Sequence, residues 1–256
     1  MQLLRTPGVV LQVREHGDAD TIVTLYTLEQ GKIAAIAKGA KRSRKRFVNK
    51  LEPFTLLDLH CTPGRTTSLL RLDQADLLAP FPLLREKYEQ FLAASLLCEL
   101  VLHWTRDHDR DQALFRLLVW TLTNLAQDKP AGWAVICFHL RLLEILGYRP
   151  DLSCCLQCGQ LVTHLGPYRF NLQRSGLVCS RCSRGVAAQS LVPLSIQTTQ
   201  LLRRVQELEP HKLERLQFPA TAINEALTFL QRYDSHLLQR ELHSWRFLRT
   251  LPTPDR

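Results

Sequence analysis

Asp20-Thr21-Ile22-Val23-Thr24-Leu25-Tyr26-Thr27-Leu28, then Glu29-Gln30-Gly31, then Lys32-Ile33-Ala34-Ala35-Ile36-Ala37 is the stretch on which the fold turns. Its β-branched and aromatic run, a short Gly-containing break and a second apolar run together predict a β-hairpin. Upstream, Val9 to Arg14 alternates apolar and polar residues, as a half-buried strand does. Downstream of a basic stretch, Phe54 to His60 and Thr67 to Leu72 read as two more strands, parted by the turn composition Thr62-Pro63-Gly64-Arg65. Five short antiparallel strands with one longer connection, between the third and fourth, fit the Greek-key barrel of an OB-fold; an SH3-like barrel has the same strand count.

Beyond Ala79-Pro80-Phe81-Pro82 the period changes to that of helices. Leu84, Tyr88, Phe91, Leu92, Leu96 and Leu100 form one stripe, Leu114, Leu117, Leu118 and Leu125 a second, and Trp133, Ile136, Leu140 and Leu143 a third. The third stops at Gly147, with Pro150 three positions on. After an irregular segment to about Ser190, helical spacing resumes at Leu201, Leu202, Val205 and Leu208, and again from Ile223 to Leu238. The expected class is therefore α+β: an OB-fold over 1–80, a helical domain over 81–150 and 191–256, and an insert over 151–190.

Composition narrows the function classes. With 45% hydrophobic and 22% charged residues the chain is neither disordered nor fibrous. Glu99, His103, Asn124 and His139 interrupt the longest apolar runs, so no membrane span is expected, and Met1 to Leu11 lacks the pattern of a signal peptide. A cytoplasmic location follows as an expectation. There Cys pairs more often hold metal than form disulfides.

Cys155-Leu156-Gln157-Cys158-Gly159 and Cys179-Ser180-Arg181-Cys182 are two C-x-x-C pairs twenty residues apart, the pattern of a four-thiolate zinc site. Two residues between thiols let a knuckle aim both sulfurs at one ion, and four sulfurs close a tetrahedron with no position for water. The expected cofactor is one structural Zn2+ held by Cys155, Cys158, Cys179 and Cys182, in place of the core that so short an insert lacks. Cys154 is the alternative to Cys155, since Cys154-x-x-x-Cys158 is also ligand spacing. His164, between the pairs, is read as a surface imidazole. Cys61, Cys98 and Cys137 stand singly in strand or helix patterns and read as packing residues.

The net charge of +9 is concentrated between the third and fourth strands, in Lys38-Gly39-Ala40-Lys41-Arg42-Ser43-Arg44-Lys45-Arg46-Phe47-Val48-Asn49-Lys50. Seven of those thirteen residues are basic and none is acidic, so the rest of the chain averages close to neutral. On a barrel edge such a loop neutralises phosphates, making Lys38, Lys41, Arg42, Arg44, Lys45, Arg46 and Lys50 the candidate DNA-binding residues. Base stacking has less support. The first 80 residues hold only Tyr26, Phe47 and Phe54 as aromatics; the first and last lie in strand patterns, and only Phe47 lies in the loop. Backbone contact, tolerant of single and double strands, is the expectation.

The chain has no Walker phosphate loop, dinucleotide fingerprint, nucleophile elbow or H-E-x-x-H. Asp107, Asp109 and Asp111, alternating with Arg106, His108 and Arg110, are the most suggestive acidic group. A two-metal nuclease uses such carboxylates, but between helices the same pattern makes a solvated turn and N-cap. A zinc-stabilised interaction adaptor is a third reading, which leaves the basic loop without a ligand.

Several of these segments carry a family likeness. Gly31-Lys32-Ile33 with Ala37-Lys38-Gly39-Ala40-Lys41-Arg42, Leu146-Gly147-Tyr148-Arg149-Pro150-Asp151-Leu152, both Cys pairs, and His236-Leu237 with Ser244-Trp245-Arg246-Phe247-Leu248 together resemble the RecO family of bacterial recombination mediators. Ser175-Gly176 stands where that family usually has Gly-Gly. The resemblance implies a non-enzymatic protein that binds single- and double-stranded DNA and anneals complementary strands. It also implies work with RecR and the C-terminal tail of single-strand-binding protein, and loading of RecA in the bacterial cytoplasm at the nucleoid.

Overall fold

The computed structural model describes residues 3–43, 45–64, 69–162 and 167–248. Arg44, His164 and the first two residues of the strand expected from Thr67 lie outside that set, as does the Leu248 side chain. The chain divides into two compact units, one ending at Asp128 and one starting at Lys129.

The first unit opens with five strands: β1 (Leu4–His16), β2 (Asp20–Thr27), β3 (Gly31–Ala37), β4 (Leu56–Thr62) and β5 (Leu70–Ala79). They close into a barrel in the order β1-β2-β3-β5-β4, which is the OB-type arrangement. β1 serves two neighbours, with Leu4 to Val9 opposite β4 and Gly8 to His16 opposite β2. The register to β2 slips between Val10 and Gln12, and this bulge bends the long strand around the barrel. It also lets Val9, Val10 and Leu11 be buried in succession, where simple alternation predicts an exposed residue. Gly8, at the crossover, has no room for a side chain: a Cβ there would stand 2.6 Å from Leu59 Cδ1. A short parallel pairing of Ala35 and Ile36 with Leu70 and Arg71 completes the closure. All other pairings in the barrel are antiparallel. Inside lie Val10, Val23, Leu25, Ile33, Leu57, Leu59, Leu72 and Phe47.

The helices that follow are α1 (Leu83–Glu86), α2 (Tyr88–Trp104) and α3 (Gln112–Ala126). The stripe expected from Leu84 to Leu100 is broken at Lys87, which is extended. The break resets the helical phase, so Tyr88 is 61% and Phe91 41% exposed while Leu92, Leu96 and Leu100 remain buried. Phe91 lies edge-on against buried Phe54, with ring centroids 5.6 Å apart.

The second unit begins with α4 (Ala131–Ile145). It ends in a Schellman motif: Gly147 at φ 81, with its N–H donating to the Glu144 carbonyl and that of Tyr148 to the Leu143 carbonyl at 3.1 and 2.7 Å. The segment expected to be irregular is instead a sheet of β6 (Asp151–Cys155), β7 (Tyr168–Asn171), β8 (Gly176–Cys179) and β9 (Leu191–Leu194), in the order β6-β8-β7-β9. Strands this short show no alternation when both faces are covered, and all four residues of β8 are buried. The helices α5 (Ile196–Glu207), α6 (Pro210–Leu213), α7 (Ala220–Leu238) and α8 (Ser244–Leu248) complete the unit. Phe170 of β7 packs edge-on against Phe229 and Tyr233 of α7, with centroids 4.7 and 5.0 Å apart. The sheet thus shares an aromatic core with the helices, in contrast to the coreless insert expected from its length.

Candidate metal centre and nucleic-acid interface

The four cysteines of the two knuckles converge. The sulfurs of Cys155, Cys158, Cys179 and Cys182 all lie within 4.8 Å of one another, and Cys158 Sγ is 3.9 Å from Cys179 Sγ. A tetrahedron of thiolates about 2.3 Å from a zinc ion has edges of about 3.8 Å, so the cradle fits that ion. Gly159 turns at φ 71, its N–H donating to the Cys155 carbonyl at 2.8 Å, and the Ser183 N–H closes the second knuckle on the Cys179 carbonyl at 2.9 Å. Cys155 is buried within the cluster, whereas Cys154 is outside it and bridges to Leu161, so Cys155 and not Cys154 is among the sulfurs close enough to share an ion.

Backbone dipoles prepare these sulfurs for charge. Burial pushes the Cys155 thiol up, but amide donors from Cys158, Cys179 and Gln157 outweigh it and bring the group down to about 6. Hydrogen bonding from the Cys182 amide likewise lowers Cys179. Cys182 moves up to about 12, chiefly through its hydrogen bond with Cys179 and through burial. At Cys155 and Cys179 the amide donors thus favour the thiolate, the form in which cysteine binds a divalent cation. Cys61, Cys98 and Cys137 are buried elsewhere. Burial raises the first two to about 12 and the third further still, so they are inert packing groups.

The basic loop leaves β3 through a turn at Gly39 (φ 67) and a short 3-10 turn over Ala40–Arg42. It is anchored by Phe47, which is only 4% exposed and belongs to the barrel core. The Arg46 guanidinium lies 5.0 Å from the centroid of that ring and donates to the Lys38 carbonyl at 3.1 Å. Phe47 is therefore a plug and not a stacking platform. Tyr26 and Phe54 are also buried, so the barrel strands and loop turn no aromatic ring to solvent. Three of the six described cations hold acids of the barrel: Lys38 reaches Asp20 at 2.7 Å, Lys41 reaches Glu15 at 2.8 Å and Lys50 reaches Asp76 at 3.5 Å. Arg42 and Lys45 are exposed and have no ion-pair partner among the described residues.

Against this geometry, two family models cover nearly all of the chain: Recombination protein O N terminal matches residues 1–81 and Recombination protein O C terminal matches residues 85–246. The chain belongs to the RecO family. Among its relatives, the DNA repair protein RecO of Syntrophus aciditrophicus is 34% identical over 244 residues, covering 95% of this chain and 94% of that protein. The DNA repair protein RecO of Anaeromyxobacter dehalogenans strain 2CP-C is 37% identical over 250 residues, covering 97% and 96%. That of Myxococcus xanthus is 33% identical over 241 residues, covering 94% and 95%.

In this RecO-family chain the aspartates before α3 serve packing. Asp111 caps α3 by accepting the Leu114 N–H at 2.9 Å. Asp107 pairs with Lys32 at 3.3 Å, and the Lys32 ammonium also donates to the Leu102 and Thr105 carbonyls at the end of α2, at 2.9 and 2.6 Å. The Asp109 backbone presses on Gly31, where a Cβ would stand 2.0 Å from the Asp109 carbonyl oxygen. The segment is a clasp on the tip of the β2–β3 hairpin, a role that sequence spacing did not reveal. Among the described residues the four cysteines are the one group of three or more potential ligands close enough to share an ion. No helix among those residues is long and apolar enough to cross a membrane.

Proposed function

We propose that this protein is a non-enzymatic DNA-repair mediator that binds single- and double-stranded DNA through the loop of Lys38, Lys41, Arg42, Arg44, Lys45, Arg46 and Lys50 and anneals complementary strands. With RecR it would help load RecA on DNA covered by single-strand-binding protein, whose C-terminal tail the helical part would bind, in the bacterial cytoplasm at the nucleoid. The observation that carries the reading is a RecO match over almost the whole chain on a barrel that presents cations without exposed aromatic rings. Phosphates are then the available handle, and binding is salt-sensitive and tolerant of sequence. Annealing follows from the same charges, which offset repulsion between two approaching backbones.

Zn2+ in the cradle of Cys155, Cys158, Cys179 and Cys182 would supply folding energy alone, since four thiolates leave no open position. The domain reading over 1–80, 81–150 with 191–256, and the insert 151–190 is proposed with it.

The test is a salt titration of single-strand binding, together with annealing in the absence of nucleotide. Replacing Lys41, Arg42, Arg44, Lys45 and Arg46 by alanine should lower the magnitude of the log K against log salt slope by about 3.5 if all five meet phosphates, at ~0.7 per contact. Annealing should weaken in parallel. An unchanged slope moves the site off the loop, and magnesium-dependent cleavage of labelled DNA by the wild type overturns the non-enzymatic reading.

A further inference from the structure

The near-neutral average outside the basic loop conceals a second asymmetry. The protein has 24 Asp plus Glu in 256 residues, yet between Asp151 and Glu207 there is none. The one acid at the start of this span is occupied: the Asp151 carboxylate accepts from the Ser153 backbone N–H and hydroxyl at 2.9 and 2.6 Å. Within the span Arg169, Arg174, Arg181 and Arg184 are all exposed, and none of them forms an ion pair among the described residues. Among the described residues only Arg181 has a side-chain partner, the neutral Gln160 amide oxygen at 3.5 Å. The barrel loop is different, because three of its lysines already hold acids.

The fold strings these arginines along the β7–β8 ladder, from the metal centre to the turn at its far end. Arg181 lies between the ligands Cys179 and Cys182, and Arg184 follows in the same knuckle. Arg169 pairs across the ladder with Val178, one residue before Cys179. Arg174 is in the turn that joins β7 to β8, at the far end of a ladder running from Tyr168–Cys179 to Asn171–Gly176. At about 3.3 Å per residue that ladder is about 10 Å long, a span of more than one phosphate. All four are arginines, whose planar donor fork matches a phosphate better than an ammonium does.

We propose that this knuckle face, through Arg169, Arg174, Arg181 and Arg184, is a second binding surface for the phosphate backbone of a single-stranded nucleic acid, separate from the barrel loop. It rests on the DNA-binding reading above and deepens it: each compact unit carries its own strand site, so one chain holds two strands. A competing role for the same side chains is to offset the double negative charge of four thiolates around Zn2+.

The experiment uses the full chain loaded with zinc, an oligothymidylate as probe, and a variant with all four arginines changed to glutamine. If each contacts a phosphate, the salt slope should fall by about 2.8 at ~0.7 per contact, so that raising salt from 50 to 200 mM weakens the variant about 50-fold less than the wild type. Zinc content should stay at one per chain. Phenylglyoxal labelling of the wild type, mapped by peptide with and without oligothymidylate, avoids any question of variant folding; Arg169, Arg174, Arg181 and Arg184 should be protected. Unchanged labelling of all four while the wild type binds overturns this proposal and leaves the barrel site standing. Loss of zinc from the variant with no protection in the wild type assigns the arginines to the metal instead. A wild type that does not bind oligothymidylate overturns the DNA-binding reading itself.

Discussion

Changing Phe47 to alanine separates two roles for the one aromatic residue of the basic loop. The ring is 4% exposed and sits among Val10, Leu25, Leu57 and Leu59 of the barrel core. Truncating such a ring removes its transfer free energy and leaves a cavity, at a cost of about 3–5 kcal/mol. For a unit of this size, between the ranges known for smaller and larger domains, each kcal/mol lowers the midpoint by about 3–5 °C. The barrel transition should therefore fall by about 10–25 °C, followed by far-UV circular dichroism and by urea titration. Single-strand affinity, measured well below that midpoint, should keep its salt slope because the phosphate contacts remain. A stacking platform behaves in the opposite way: about 1–3 kcal/mol of affinity per base, roughly 5- to 150-fold, with the fold untouched. Wild-type melting combined with such a loss of affinity would refute the plug.

Cys179→Ser should abolish stoichiometric zinc by elemental analysis and expose the two knuckles to proteolysis, while the Phe170–Phe229–Tyr233 cluster keeps near-ultraviolet dichroism of the second unit. Asp20 is held below its ordinary value by its hydrogen bond from Lys38 and by the Gly39 N–H. Its contribution is therefore complete above the unfolded value of about 3.9 and is lost as pH falls through the depressed folded value. The stability gap between wild type and Asp20→Asn, read from urea midpoints, should accordingly be constant at neutral pH and close below about pH 4. Gly31→Ala, at φ +62 and against the Asp109 carbonyl, should destabilise the first unit by more than the roughly 1–2 kcal/mol of a left-handed backbone alone, read as a lower midpoint; an unchanged midpoint would mean the clasp is not seated.

The hairpin over Asp20 to Ala37 was legible because one face of it is buried, so period-two alternation survives in the sequence. Cys155 and its three partners were legible because knuckle spacing is set by metal geometry and not by the rest of the fold. Phe47 was not, since a core residue supplied by a charged loop has no periodic neighbours to betray it. The sheet after Pro150 was hidden for the related reason that β8 is covered on both faces. Tyr88 and Phe91 fitted a helical stripe whose phase is interrupted by one extended residue, Lys87, of ordinary helical type. The ion pairs that occupy Lys38, Lys41 and Lys50 join residues distant in sequence, and charge counting along the chain does not see them.

The clasp formed by Arg106 to Asp111 sets where this protein can be divided. The two family models part between residues 81 and 85, but the first compact unit continues to Asp128. A chimaera that took only residues 1–81 from a relative would inherit a hairpin tip shaped to a foreign clasp. Lys32 would need carbonyls at the end of another α2, Gly31 would need another Asp109, and the Tyr26 hydroxyl, 3.4 Å from the Asp111 carbonyl, would need another α3 cap. Exchange at the junction of Asp128 and Lys129 carries lock and key together, so barrel, α1, α2 and α3 form the smallest portion that exchanges as a module.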